Sequence, residues 1–245
     1  MDYYKIYKTK NIFGLDKGER PFLYSFWLRK LLKLLPEGSK TLEVGCGYGY
    51  FLKWLEKKFS VVGIDISEDA IKEAKKRTKA SLNIGDAEKL PFENSSFSAI
   101  VAFDLIEHLN NPEIFLSEVY RILHNYGLLI LSTPNPESIG CKIKPKKIEW
   151  KGLPYESWLE EWHGWRIDTH INIRHMQKWR KLLYEKGFKI LKDGTDTLWD
   201  IPYFKIVPLI FQKIFFISPH WILTWLFGFF PWKFGENYVC IAKKV

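Results

Sequence analysis

The chain has 245 residues, 47% of them hydrophobic and 27% charged, which suits one α/β domain with a full core and some insertions and is too short for two enzyme domains. A formal charge of +9 fits an anionic substrate, a membrane surface or nucleic acid without choosing among them. Three scattered cysteines, Cys46, Cys141 and Cys240, point to neither a disulfide framework nor a cysteine zinc site and leave a reducing cytoplasm as the expected location.

The N-terminus, Met1-Asp2-Tyr3-Tyr4-Lys5, lacks the charged and apolar regions of a secretory leader, so no export signal is expected. Aromatic residues make up 17% of the chain, including 11 Trp, a heavy load for a soluble enzyme. In chain order, Arg20–Leu35 reads as an amphipathic helix ended by Pro36-Glu37-Gly38. From Lys40 onward, short apolar runs alternate with helix-period segments, the pattern of a parallel sheet covered on both faces, or doubly wound. The strands read as Thr41–Val44, Val61–Ile64, Ser81–Ile84, Ala99–Phe103 and Leu128–Ser132. Between them, Tyr50–Lys58, Glu68–Lys79 and Pro112–Leu123 carry apolar residues at helical steps, with Ser67 and Asn111 as expected N-caps. Asn135–Asn172 breaks the rhythm as a Trp- and Lys-rich insertion, after which come a helix at His175–Lys186, a sixth strand from Phe188 to Leu191 and a last one at Tyr238–Ala242.

A glycine-rich turn follows the first strand, with glycines at 45, 47 and 49. A dinucleotide fingerprint needs its third glycine at position 50, which is Tyr50, and no Lys-[Ser/Thr] follows to make a phosphate-cradling loop. Glu43, just before the turn, sits poorly beside a pyrophosphate and well beside the ammonium of an amino-acid moiety. Asp65 ends the second strand, where a carboxylate accepts ribose hydroxyls, and Asp86 in Gly85-Asp86-Ala87 follows the third, where a carboxylate accepts the amino hydrogens of adenine.

LEVGCGYGYF (42–51), GIDIS (63–67), GDAEKLPF (85–92), FDLIEHL (103–109) and LLILSTPNP (128–136) together resemble class I S-adenosylmethionine-dependent methyltransferases, in the branch similar to ubiquinone- and menaquinone-biosynthesis enzymes. The resemblance implies a Rossmann-like, seven-stranded, mostly parallel sheet whose last strand is antiparallel, an N-terminal helical cap (1–39), a cofactor-binding core (40–134) and a substrate-cap insertion (135–173). A C-terminal part (174–245) would carry an aromatic insertion (198–233). It also implies that S-adenosylmethionine is held by Glu43, Gly45 and Gly47 at its methionine part, by Asp65 at its ribose, and by Asp86 and Ala87 at its adenine, with Cys46 and Ile66 also among the cofactor-binding residues. Asp104 and Leu105 would close the pocket.

Methyl transfer is an in-line displacement that rests on alignment in a dry site, with a base needed only to take a proton from the acceptor. His108, one turn past the fourth strand, is the first candidate base, and His170 in the insertion is the second. Asp104-Leu105-Ile106-Glu107-His108 resembles the segment that binds a divalent ion in some quinone O-methyltransferases, yet Glu107-His108 is widespread in metal-free relatives and no metal is expected. His163, Asp168, His170 and His175 lie among Trp150, Trp158, Trp162 and Trp165 at spacings that fit no zinc motif.

Ile214–Trp232 carries no Asp, Glu, Lys or Arg, but Ser218-Pro219-His220 interrupts it and a strand follows, so two short helices at Tyr203–Ile217 and Pro219–Phe229 are expected rather than a membrane crossing. Residues 201–232 would then give a peripheral membrane face assisted by Lys142, Lys144, Lys146 and Lys147, a wall for a long-chain substrate, a homodimer interface or an extra buried layer. The expected acceptor is a small, apolar or lipid-linked molecule. Rival readings are a nucleic-acid methyltransferase, disfavoured because Asp104-Leu105-Ile106 replaces the Asn/Asp-Pro-Pro-aromatic segment, a non-catalytic cofactor-binding module, and a nicotinamide oxidoreductase.

Overall fold

The structure, a computed structural model, describes residues 19–138, 170–196, 208–212, 214–215 and 218–245. Most of the expected insertion, with His163, Asp168, its four Trp residues and its Lys run, lies outside the described residues.

Seven strands form one sheet: β1 Lys40–Val44, β2 Ser60–Asp65, β3 Ser81–Ile84, β4 Phe97–Phe103, β5 Leu123–Pro134, β6 Phe188–Thr195 and β7 Asn237–Lys244. Their order is β3-β2-β1-β4-β5-β7-β6. The first five pair in parallel, and β7 runs antiparallel to both β5 and β6. The chain winds outward from β1 to β3 and then restarts at β4 on the other side of β1. This reversal opens a crevice at the carboxyl ends of β1 and β4, the place where open α/β sheets bind ligands.

The central strands are apolar at consecutive positions because both faces of the sheet are covered. Along β4 and β5 the side chains alternate: Ile100, Ala102, Leu129 and Leu131 pack on one face, and Ala99, Val101, Leu128 and Ile130 on the other. The first face is covered by α4 (Pro112–Ile122) and α5 (Met176–Glu185), which bury Phe115, Leu116 and Val119, and Trp179, Leu182 and Leu183. The second is covered by α1 (Pro21–Leu32), which buries Trp27 and Leu31, and by α2 (Leu52–Leu55). Helices α3 (Glu68–Ala74), α6 (Leu209–Gln212) and α7 (Ser218–Phe227) complete the described set.

Several elements differ from their sequence expectation. Regular helix in α2 shrinks to Leu52–Leu55 because amides after it bond three residues back, as Lys57 to Trp54 and Lys58 to Leu55 do. The same tightening, Lys76 to Glu73 and Arg77 to Ala74, ends α3 at Ala74 rather than Lys79. Strand β5 begins at Leu123, since Leu123 pairs with Phe97 across a register shift and Tyr126 takes a left-handed φ of 64° before Gly127. Strand β6 runs on to Thr195, paired with Tyr238. Ser67 caps α3 as expected, its hydroxyl accepting from the Ala70 amide at 3.2 Å. Asn111 does not cap α4 with its side chain, which donates instead to Glu88 at 2.9 Å. In the aromatic segment, helix is found over Leu209–Gln212 and Ser218–Phe227. No helix among the described residues is long and apolar enough to cross a membrane.

Candidate active site

A cavity of about 690 Å³ opens at the crevice between β1 and β4, within the size range of small-molecule and cofactor sites. Its floor is the turn after β1, where Gly45, Gly47 and Gly49 all take positive φ, at 73°, 50° and 74°. Two of these have a steric reason besides conformation. A β-carbon on Gly45 would stand 3.0 Å from the Leu105 side chain, and one on Gly49 would stand 3.0 Å from the β-carbon of Ala74 on α3. The turn is tied to β2: the Gly45 and Cys46 amides donate to the Ile64 carbonyl at 2.9 and 3.1 Å, and the Gly47 amide donates to Asp65 Oδ2 at 2.8 Å.

Glu43 lines the cavity, is only 6% exposed, and its Oε2 has no hydrogen-bond partner. Burial, with the charge of Asp65 adding to it, pushes this carboxyl well above the usual carboxylate range. An unsatisfied buried carboxylate oxygen costs free energy unless a donor arrives. A ligand ammonium is the donor this position suits. Cys46 lines the same wall; burial, then Glu43 and Asp65, push its thiol up strongly, so it stays protonated and unreactive.

Asp65 ends β2, where its sequence position put it. It is 3% exposed, it is not among the described residues that line the cavity, and its Oδ1 accepts from the Ser67 amide at 2.9 Å while Oδ2 holds Gly47. Its plainest duty is to lock the glycine turn to the end of β2. Ala87 is likewise buried and off the cavity wall. Asp86 does line the cavity and is exposed, with Oδ1 accepting from the Glu88 amide at 2.8 Å. Ile66, at 72% exposure, presents an apolar face to the same cavity, as a flat aromatic ligand would require.

The opposite wall comes from β4. Asp104 takes a left-handed φ of 49°, unusual for a non-glycine residue and a mark of local strain. Ser132 Oγ donates to Asp104 Oδ1 at 2.7 Å, and Arg20, just ahead of α1, donates to Oδ2 at 3.3 Å. Leu105 and His108 follow on this wall, the latter in a 3₁₀ turn, Ile106–His108. His170 stacks edge-on behind His108, ring centres 4.4 Å apart. Burial holds its pKa down at about 4, partly opposed by the charge of Asp104.

Glu107, His108 and His170 each place one ligand atom within 4.8 Å of the others. A divalent ion would find this set, rather than Asp104-Glu107-His108, brought together. Sequence reasoning missed Arg20, Tyr24, Tyr48, Tyr50 and Ser132 in the cavity wall. Tyr50 denies a dinucleotide loop its glycine, and its ring lies 4.8 Å from the Arg77 guanidinium with Tyr48 beside it. Arg20 and Ser132 come from remote parts of the chain, and no local pattern marks them.

Comparison with known proteins decides between the possible cofactors of such a crevice. A family model described as a methyltransferase domain matches residues 19–193. The chain belongs to that methyltransferase family. A probable S-adenosylmethionine-dependent methyltransferase of Mycolicibacterium smegmatis is 33% identical over 100 residues, covering 40% of this chain and 39% of the relative. A fatty-acid O-methyltransferase of the same organism is 32% identical over 106 residues, covering 41% and 39%. The chain thus spans about two fifths of the length of these curated relatives. Among solved structures, the PH0226 protein of Pyrococcus horikoshii superposes with a TM-score of 0.66 over 100% of this chain and 99% of that one, at 19% identity, and so shows the shared fold. The cofactor of this methyltransferase family is S-adenosylmethionine, and the class I sheet, with its antiparallel last strand, is the one found here.

Proposed function

We propose that the protein transfers a methyl group from S-adenosylmethionine to an oxygen or carbon of a small, apolar or lipid-linked acceptor, as in the quinone-methylating branch its sequence blocks resemble. The observation that carries the reading is Glu43, a buried carboxylate with an unpartnered oxygen on the cavity wall, beside a glycine turn. Glu43, Gly45, Cys46 and Gly47 would hold the methionine part, and Asp65 would act at the ribose chiefly through the turn it anchors. Ile66, Asp86 and Ala87 would frame the adenine, while Asp104 and Leu105 would close the pocket.

When bound, S-adenosylmethionine supplies an electrophilic methyl on a sulfonium. The protein aligns the acceptor and keeps water out, and Leu23, Tyr24, Phe51 and Phe103 give the cavity an apolar end for that purpose. We assign proton removal from a hydroxyl or carbon acid to His108, with His170 beside it as a neutral imidazole near pH 7. An apolar acceptor is supported by that wall and by the relative named a fatty-acid O-methyltransferase. The same reading gives the aromatic C-terminal segment a peripheral membrane contact in a reducing cytoplasm, where the buried Cys46 and Cys240 remain free thiols.

Incubation with methyl-labelled S-adenosylmethionine and fractionated lipid extracts tests the reading. Label should enter an organic-soluble product and fall strongly with His108→Ala. Label entering only RNA would reject the acceptor class.

A further inference from the structure

Helix α7 is built inside out. Its buried residues are the polar His220 and Thr224, whereas Ile222, Trp225, Leu226 and Phe227 stand 52%, 39%, 50% and 51% exposed. A helix on a water-facing surface turns its apolar stripe to the core, so this face is arranged for an apolar surrounding. The helix is held firmly in that orientation. Phe22 and Trp221 rings meet at 5.3 Å, the Phe26 ring fills the space where a side chain on Gly228 would go, and Trp27 stacks with Phe229 at 6.0 Å. Arg29 donates to the Trp225 carbonyl and lies 4.8 Å over its ring.

Cations lie on α1 and β6, the elements that pack against α7 and the Phe229 just after it. Lys30 lies close enough to Lys192 and Lys33 that their charges, after burial, lower its pKa. Lys192 sits 4.7 Å from the Phe229 ring centre. Among the described residues, none of Arg29, Lys30, Lys33 and Lys192 forms an ion pair with a carboxylate. Arg29 over the exposed Trp225 ring, with the like charges of Lys30, Lys33 and Lys192 on the elements packed against α7, calls for an anionic counterpart with an apolar interior. That combination describes a bilayer of anionic lipid. A second copy docked face to face would set these cations against their own copies.

We infer that α1 and α7 together seat the protein on an anionic bilayer, with α7 lying in the interface. This deepens the proposed function and rests on it in one respect. Leu23 and Tyr24 of α1 line the cavity while Phe22 of the same helix packs on α7, so one helix joins the cavity wall to the face that would meet a lipid-linked acceptor.

Flotation of the full chain with phosphatidylcholine vesicles, with and without phosphatidylglycerol, is the test, paired with calorimetric binding of S-adenosylhomocysteine and light scattering. The protein should float with the anionic vesicles and stay at the bottom with phosphatidylcholine alone. Lys30→Gln and Lys33→Gln should each lower partition about fivefold. The pair Ile222→Glu and Leu226→Glu should abolish flotation while nucleoside binding is kept, which shows that the variant is folded. Wild-type protein left at the bottom with anionic vesicles would overturn the inference. So would flotation of the Glu variant, or a wild-type dimer that this variant dissociates without any vesicle binding. Failure of nucleoside binding in protein that floats would instead strike only the methyltransferase reading.

Discussion

Arg20 meets Asp104 at 3.3 Å, joining the start of α1 to the strained end of β4 across the cavity wall. Both side chains are about a third exposed, at 39% and 30%, so the ion pair itself is worth little. Arg20→Ala is expected to lower stability by less than about 1 kcal/mol. Asp104→Ala should cost more, roughly 1–3 kcal/mol, because it also removes the Ser132 bond and leaves a side chain less tolerant of the left-handed backbone. Urea denaturation of the two variants separates these terms.

Gly49 packs the glycine turn against α3. Gly49→Ala would combine a positive φ of 74° with a β-carbon 3.0 Å from that of Ala74. A loss of about 1–3 kcal/mol is expected in thermal or urea unfolding. A companion change, Ala74→Gly, should recover little, since the backbone strain at position 49 persists.

The proposed role of Glu43 implies that ligand binding is coupled to a proton. Its carboxyl is raised, so in the free protein it stays protonated to higher pH than an ordinary glutamate, and an arriving ammonium favours the ionised form. Binding of S-adenosylhomocysteine should therefore release a proton over the range in which free Glu43 is protonated. Calorimetry in buffers of different ionisation enthalpy should show that release. Glu43→Gln should abolish it and weaken binding about tenfold to a hundredfold.

His170 makes stability depend on pH. Its folded pKa, about 4, lies below the usual 6.5, so the unfolded chain takes up the proton first. The stability it contributes is present above pH 6.5 and is lost as pH falls toward about 4, to a total of roughly 3 kcal/mol. His170→Asn should flatten that part of the profile, read as the difference in urea midpoint between variant and wild type across this range.

The sheet was legible because its central strands are continuous apolar runs that stop at acids or glycines, as Val61–Ile64 does at Asp65. Strand and helix ends were less legible. The pairing of Leu123 with Phe97 depends on a register shift, and the three-residue bonds that shorten α2 and α3 leave no mark in the apolar periodicity. In the site, Glu43 and Asp86 stand where their strand-end positions implied. Asp65 does not reach the cavity wall, because the amides of Gly47 and Ser67 claim its carboxylate. The apolar run broken at Ser218-Pro219-His220 located α7 but hid its orientation, since a segment apolar nearly all round carries no instruction about which face is buried.

If Asp65 works mainly as an anchor for the glycine turn, its two changes should differ in kind. Asp65→Asn keeps an acceptor for one amide and should retain weakened binding. Asp65→Ala frees both amides and should lose stability together with affinity, by about 1–3 kcal/mol for the unmade bonds. Equal stability of both variants and wild type would contradict the anchoring role.

Titration of the protein with S-adenosylhomocysteine in a calorimeter bears most directly on the site as a whole. The expected result is saturable binding of one ligand per chain, weakened by Glu43→Gln far beyond any effect of Arg20→Ala. Absence of binding by folded wild-type protein, or binding indifferent to Glu43, would contradict the assignment of this cavity to S-adenosylmethionine.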